Sequence, residues 1–397
     1  DLYATLKFAI ISLLILPVLA WALRALGRPR AFRIEGDRLR IQDYNIERVE
    51  VLMEYPIFNG TARINEIGRE VHPIFVNESG RHWFTALNAY RHFSAQVPHT
   101  GRVWSNCDRL FNWMLRRMPF IRKDFQGVRH DEYPIRLWTV AVFLFGALPL
   151  LRTRGVSRLI IGDEYDTTAR KSLQGITHYD GLYDQSRYFD NALTRFYGRK
   201  RWGLVQFSIL RPLSELLVQK TLAERYPELL RLQVSCHAAH RGDGVVRPCG
   251  RCEKCRRIVA MLVALGRDPG ECGYAPEQVT ACLAALPNQG IHQERAGVAQ
   301  VAHMLREQGR LEGRVVGGVR ARPQPAVLQL RIDAERSPLP AIPHDLRDPL
   351  ARIFLEHAGG ADDVIDVGVA CGGGGGAEEC FPHAVHVQDI ALADEGV

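Results

Sequence analysis

The sequence predicts an α/β fold: a parallel sheet with crossover helices, led by a small β-rich module and followed by a mainly helical C-terminal part. Three observations predict it. Short apolar runs alternate with longer segments of helical spacing from about residue 71 to 265, the pattern of strand–helix–strand units and therefore of a parallel sheet. Four of the nine cysteines crowd into residues 236–255. The composition, 46% hydrophobic and 24% charged over 397 residues, is that of a globular chain able to bury one large core or two ordinary ones.

Residues 1–30 are dominated by an apolar run, Phe8 to Leu23, with Lys7 before it and Arg24, Arg28 and Arg30 after it. Its sixteen residues fall just short of the roughly 17–25 that span a bilayer. Two readings stand: a buried helix, or a membrane helix whose following arginines hold the rest of the chain in the cytoplasm, tethered to the inner face. Residues 31–70 form the β-rich module. AFRIEGDRLRIQ (31–42) alternates around Gly36-Asp37, a hairpin signal, and Val49–Met53 alternates again before Pro56.

The α/β domain runs over 71–265. HPIFV is a short strand, NESG breaks it, and WFTALNAYRHF has helical spacing. RVWS is a second strand. YPIRLWTVAVFLFGALPLLRTRG is a long apolar helix ending at Gly155; Pro134, Arg136 and Pro149 leave an apolar core too short to span a membrane. SRLIIGDEYDTT is a buried strand running into an acidic loop. WGLVQFSIL is another strand, and PLSELLVQKTLAERY a helix with Pro212 expected in its first turn. Helices follow to about residue 310; VLQLRID and DLRDPLARIFLEHA extend the ordered part, so that a helical extension covers 266–358. Residues 359–397 shift to Gly, Ala, Asp and Val, with five consecutive glycines at 372–376, and read as a disordered tail.

Cys236, Cys249, Cys252 and Cys255 are spaced C-x12-C-x2-C-x2-C. An odd total with local crowding speaks against a disulfide framework and for metal ligands in a reducing compartment. Four thiolates suit a closed tetrahedral zinc site, structural because no coordination position is left open. Gly250 permits the tight turn between the first pair. Six residues advance about 600° along a helix, so Cys249 and Cys255 cannot share one helix face. A knuckle leading into a helix is implied, with Cys236 arriving from a loop. Arg247, Arg251, Lys254, Arg256 and Arg257 are expected to offset the −2 charge of such a centre; His237 and His240 read as loop histidines.

A nucleotide site is expected at the sheet's ligand edge. Ser79, Gly80 and Arg81, in the NESG turn before a helix, are placed to meet phosphates. Asp163, Glu164 and Asp166 leave a buried strand at its C-terminal end, where open α/β sheets bind ligands, and suit a ribose, an amine or Mg2+. Arg187, in YDQSRYFDNAL, suits a phosphate or carboxylate, or else pairs with Asp184 or Asp190. The net charge of +7 favours an anionic partner, nucleotide, nucleic acid or acidic membrane face.

Together, CGRCEKC preceded by SC, FSILRPLSELLVQK before them and YDQSRYF resemble the PP-loop ATP-pyrophosphatase superfamily, an α/β/α sandwich also called adenine nucleotide α-hydrolase-like. Two branches are similar: the 7-cyano-7-deazaguanine synthases and the muramoyl-dipeptide glutamate epimerases. The resemblance covers about 71–265 and is most specific over 207–255. It implies ATP and Mg2+, adenylation of a small carboxylate-bearing substrate with release of pyrophosphate, Asp163 and Ser79-Gly80-Arg81 on the nucleotide, and Glu164 and Arg187 on the substrate. The superfamily's loop is Ser-Gly-Gly-x-Asp-Ser; residues 79–84 here are SGRHWF, so Arg81 stands where backbone donors would approach the phosphates. The alternative is a catalytically inactive, zinc-stabilised nucleotide- or nucleic-acid-binding protein of the same fold.

Overall fold

A computed structural model describes residues 51–53, 68–77, 82–106, 109, 113, 117, 139–173, 175–179, 183–236 and 238–359. The expected N-terminal apolar run, the 31–42 hairpin and the glycine-rich tail from residue 360 lie outside the described residues.

The chain is mixed α/β. Strand β1 (Val51–Met53) is followed by β2 (Ile74–Asn77), helix α1 (His82–Gln96), β3 (Gly101–Trp104), α2 (Thr139–Thr153) and β4 (Arg158–Ile161). A 3-10 turn, Tyr165–Thr168, leads to the small antiparallel pair β5 (Lys171–Leu173) and β6 (Ile176–His178). Then come α3 (Arg187–Arg199), β7 (Val205–Ser208), α4 (Glu215–Arg225) and the short α5 (Pro227–Leu230). A hairpin, β8 (His240–Gly242) with β9 (Val245–Arg247), precedes α6 (Glu253–Ala264), α7 (Pro276–Gln289) and α8 (Arg295–Glu307). A two-residue pair, β10 (Val315–Val316) and β11 (Val319–Arg320), and helix α9 (His344–Leu355) complete the described chain.

The ladders of the main strands are parallel: β1 with β4, β4 with β7, and β2 with β3. β1, β4 and β7 form one sheet in the order β1-β4-β7, and β2 and β3 form a separate pair that lies close to β1. Ligands of open parallel sheets bind at the carboxyl ends of the strands.

The strand β4 shows why helices lie on both faces. Leu159 and Ile161 pack with Leu144, Leu148 and Leu151 of α2 and Leu193 and Tyr197 of α3. Ile160, between them, packs with Leu217 of α4 and Leu346, Leu350 and Ile353 of α9. All three β4 side chains are at most 1% exposed, the continuous apolar run of a strand covered on both sides.

Three boundaries differ from those expected. Val51–Met53 belongs to the main sheet and not to a separate lead-in module, because Val51, Leu52 and Met53 register with Leu159, Ile160 and Ile161. Residues 266–358 are no appendage: α7 and α8 share one core with α1, α4 and α6, and α9 covers the sheet. The fourth α-helix begins at Glu215, with Ser214 as N-cap accepting from Leu217 N; Pro212 therefore precedes the helix and is not in its first turn. VLQLRID divides into a 3-10 turn, Pro325–Leu328, and an extended piece bridged at Asp333 to Ser337.

Candidate functional site

Two constellations stand out: the cysteine knuckle, and a charge-rich edge at the carboxyl ends of β4 and β7.

The four cysteine sulfurs lie within 4.8 Å of one another, close enough to hold a metal ion. Sγ–Sγ separations are 3.5 Å for Cys252–Cys255, 3.8 Å for Cys249–Cys255 and 3.9 Å for Cys252–Cys236. Metal–sulfur bonds of 2.3 Å at tetrahedral angles require about 3.8 Å between sulfurs. The local chain explains the convergence. Cys236 leaves α5 through a loop, β8 and β9 turn the chain back, and Gly250 at φ +68 makes the turn between Cys249 and Cys252. A side chain there would also strike Gln278. Cys252 is the N-cap of α6, and Cys255 sits in its first turn, so the expected knuckle-into-helix is present. Backbone N–H groups of Ala238 and Cys249 donate to Cys236 Sγ, at 3.3 and 3.2 Å, the dipoles a thiolate needs. Hydrogen bonding with Cys252 pushes the Cys236 thiol up to about 12: four sulfurs this close cannot all ionise until a cation replaces their protons.

The arginines expected to neutralise this centre are engaged elsewhere in two cases. Arg257 pairs with Glu215 at 3.2 Å, and Arg256 donates to the carbonyls of Gly290 and Arg251. They tie α6 to α4 and to the loop after α7. His240 lies on the exposed hairpin strand β8, and His237 lies outside the described residues.

At the second constellation, Arg211 is 2% exposed by side chain and lies three residues past the end of β7. It donates to Asp190 Oδ2 at 2.7 Å, Thr167 Oγ1 at 2.9 Å, the Gln185 carbonyl at 2.7 Å and, at a longer 3.4 Å, Asp163 Oδ2. Burial alone would lower the guanidinium's pKa, but Asp190 and Asp163 outweigh it and keep it charged. One buried cation cannot neutralise two buried carboxylates. The nearer, Asp190, also accepts from Gln206 at 2.9 Å; burial raises both carboxyls, holding Asp163 well above the usual carboxylate range. Asp163 is thus a buried support behind the edge, while its carbonyl accepts from Ser208 Oγ.

Glu164 is half-buried beside Glu215 and Arg257. Burial, then the Glu215 charge, push its carboxyl up to about 7. A carboxyl titrating near neutrality suits proton transfer. Asp166 Oδ1 is buried without a hydrogen-bond partner, and burial followed by Glu294 raises this carboxyl well above its ordinary value. The C-terminal segment closes over the loop: Tyr165 is held between the guanidinium of Arg331, 3.7 Å from the ring centre, and that of Arg336, at 3.8 Å. Glu294 pairs with both arginines.

Arg187 opens α3 and donates to the Glu335 carbonyl at 2.9 Å, while its Nε is buried without a partner. It pairs with neither expected acid: Asp184 accepts from Val140 N at the start of α2, and Asp190 takes Arg211. Ser79, Gly80 and Arg81 lie outside the described residues. Their flanks, Asn77 and His82, end β2 and open α1. Residues 54–67, which follow β1, also lie outside the described residues.

Sequence reasoning missed Arg211, Glu215, Glu294, Arg331 and Arg336, and named Asp190 only as a partner for Arg187. Arg211 had a signal, since it follows an apolar strand as directly as Asp163 does. The others had none, because tertiary packing alone brings residues 294–336 to this loop.

Among the described residues, no helix is long and apolar enough to cross a membrane. Comparisons with protein-family models, with curated proteins and with solved structures return no match for this chain.

Proposed function

We propose that this chain is an ATP-using enzyme of the PP-loop type, activating a carboxylate by adenylation with release of pyrophosphate and carrying a structural zinc on Cys236, Cys249, Cys252 and Cys255. The observation that supports it best is the Glu164–Arg211 edge: titratable and cationic groups gathered at the carboxyl ends of the parallel strands β4 and β7. Near-ideal sulfur separations support zinc.

Ser79, Gly80 and Arg81 would meet the phosphates, where stabilisation of the displaced pyrophosphate is the main catalytic term. The edge is rich in carboxyls, so the nucleotide would arrive as its Mg2+ complex, with Glu164 ionised toward the metal or protonated toward the substrate. Arg187, whose Nε has no partner, would orient the substrate carboxylate. Asp163 and Arg211 would position Glu164 from behind.

A second reading rests on the pairing of the cations. Arg211, Arg257, Arg331 and Arg336 each face a carboxylate, which suits an inactive, zinc-stabilised binding protein. Residues 245–257 carry no aromatic side chain for base stacking, which counts against RNA as its ligand.

The test is Mg2+·ATP binding by calorimetry, with pyrophosphate release measured over a panel of small carboxylic acids. Binding that weakens at least tenfold in Arg81→Ala, and release abolished in Glu164→Gln, are expected. No binding at millimolar ATP overturns the enzyme reading; binding without release on any acid favours the second.

A further inference from the structure

A separate group of metal-ligating side chains lies at the opposite end of β2 and β3 from the 78–81 turn. The parallel ladder pairs Ile74 with Gly101, and Gly101 N donates to the Pro73 carbonyl just ahead of it. Continuing that register by two residues sets His72 beside His99. Glu70 lies two residues before His72, on the same side of an extended chain. Strand geometry thus gathers Glu70, His72 and His99 from two segments, and their ligand atoms lie within 4.8 Å of one another. Both imidazoles address one oxygen: Glu70 Oε1 is 3.2 Å from His72 Nε2 and 3.0 Å from His99 Nε2.

From this geometry we infer a second metal site, a two-histidine, one-carboxylate centre for a divalent first-row transition ion, with room left for water. Metal–nitrogen and metal–oxygen bonds of about 2.0–2.2 Å at tetrahedral angles put ligand atoms about 3.4 Å apart. The two contacts to Glu70 need open by only a few tenths of an ångström. Imidazole with carboxylate suits Zn2+ and its neighbours over Mg2+ or Ca2+. The Arg154 guanidinium lies beside the group and donates to the His99 carbonyl at 2.5 Å.

The His72 ring is held by burial, at 5% exposed by side chain, and by stacking on His99 at 4.4 Å between ring centres. Its Nδ1 has no hydrogen-bond partner. Outer acceptors of that kind contribute about 10–100-fold in affinity, so this site is weaker than the four-cysteine centre. The open edge of Glu70 and His99, 38% and 49% exposed by side chain, gives the ion a way in.

The test uses the full chain, loaded with excess Zn2+ and desalted into buffer with micromolar free Zn2+, with metal per chain measured by mass spectrometry. Two equivalents are expected, falling to one in His99→Ala and in Glu70→Gln. Both changes are at exposed positions, and the pair guards against one variant failing to fold. Co2+ loading separates the centres: intense near-ultraviolet thiolate bands report the cysteines, and weak visible bands of a nitrogen–oxygen site report Glu70–His72–His99. Loss of the weak bands alone in His99→Ala supports the site. A single equivalent with thiolate bands only, or two equivalents kept in both variants, overturns it. Neither outcome depends on whether the chain binds ATP.

Discussion

The cysteine knuckle and the Glu164–Arg211 edge are both dense in reactive groups, yet they are assembled in opposite ways. All four knuckle ligands come from twenty consecutive residues, and one glycine turn with one helix start brings their sulfurs together. The edge draws on residues 163–166, 184–190, 206–215, 257, 294 and 331–336, brought together only when sheet and helices have packed. The knuckle's charges call for a cation from outside. Most of the edge's charges are met within the protein, and the exceptions, Glu164 and the orphaned Asp166 Oδ1, are where chemistry has room. A local site can be lost by one ligand, whereas a distributed site fails by leaving a buried charge alone.

The largest effect expected is at the knuckle. Cys252→Ser removes a ligand while leaving a residue able to cap α6, and chelation should act likewise on the metal. Zinc content should drop well below one equivalent at the thiolate centre, and unfolding should come several kcal/mol sooner, since metal binding there is folding energy. Full zinc occupancy with unchanged melting would break the contrast by showing that the knuckle is not held by metal.

Next comes Arg211→Met, which strips Asp190 of its cation while keeping an apolar stem. Loss of one partner of a buried pair costs about 3–5 kcal/mol, read as a shift in denaturant midpoint. A loss below 1 kcal/mol would mean that the two aspartates simply take up protons, and that the edge is less strictly charge-balanced than described.

A third test uses pH. The Glu164 carboxyl is raised from 4.5 to about 7 in the folded protein. The folded state therefore holds a proton that the unfolded chain releases. The stability this contributes is present below about pH 4.5 and is lost as pH rises through about 7. Glu164→Gln lacks that loss, so it should gain on the parent protein between pH 5 and pH 8 in parallel melting curves. Parallel curves with a constant offset would refute the raised carboxyl.

The smallest effect belongs to a pair outside both regions. Asp345 at the start of α9 accepts two hydrogen bonds from Arg158 at 2.8 Å each, with Arg69 at 3.0 Å. These arginines hold its carboxyl below the ordinary value despite some burial. Asp345→Asn should cost about 1 kcal/mol at neutral pH, the range for a partly exposed pair, and the difference should fade as pH drops through the carboxylate range. A several-kcal/mol loss would make α9 as critical as the knuckle.

By itself the sequence determined what is periodic or local. The apolar runs of β2, β3, β4 and β7 and the helical spacing of α1, α2 and α4 were legible because burial on a strand or helix face imposes a period on the residues that bear it. The C-x12-C-x2-C-x2-C spacing was legible because thiolates that share one ion must be near in the chain or turned toward each other by it. Only the tertiary structure decided the rest. Val51–Met53 is too short to declare its sheet, and joins it through register with Leu159–Ile161. Asp163 looked as available as Glu164 until Arg211 drew it inward, and Arg187, read as a substrate contact or else a partner of Asp184 or Asp190, donates to the Glu335 carbonyl while those acids have other partners. Glu70, His72 and His99 became neighbours only through the β2–β3 ladder. The physical reason is common to all of these: a side chain's charge and partners depend on burial and on residues far along the chain, and neither has a period to read.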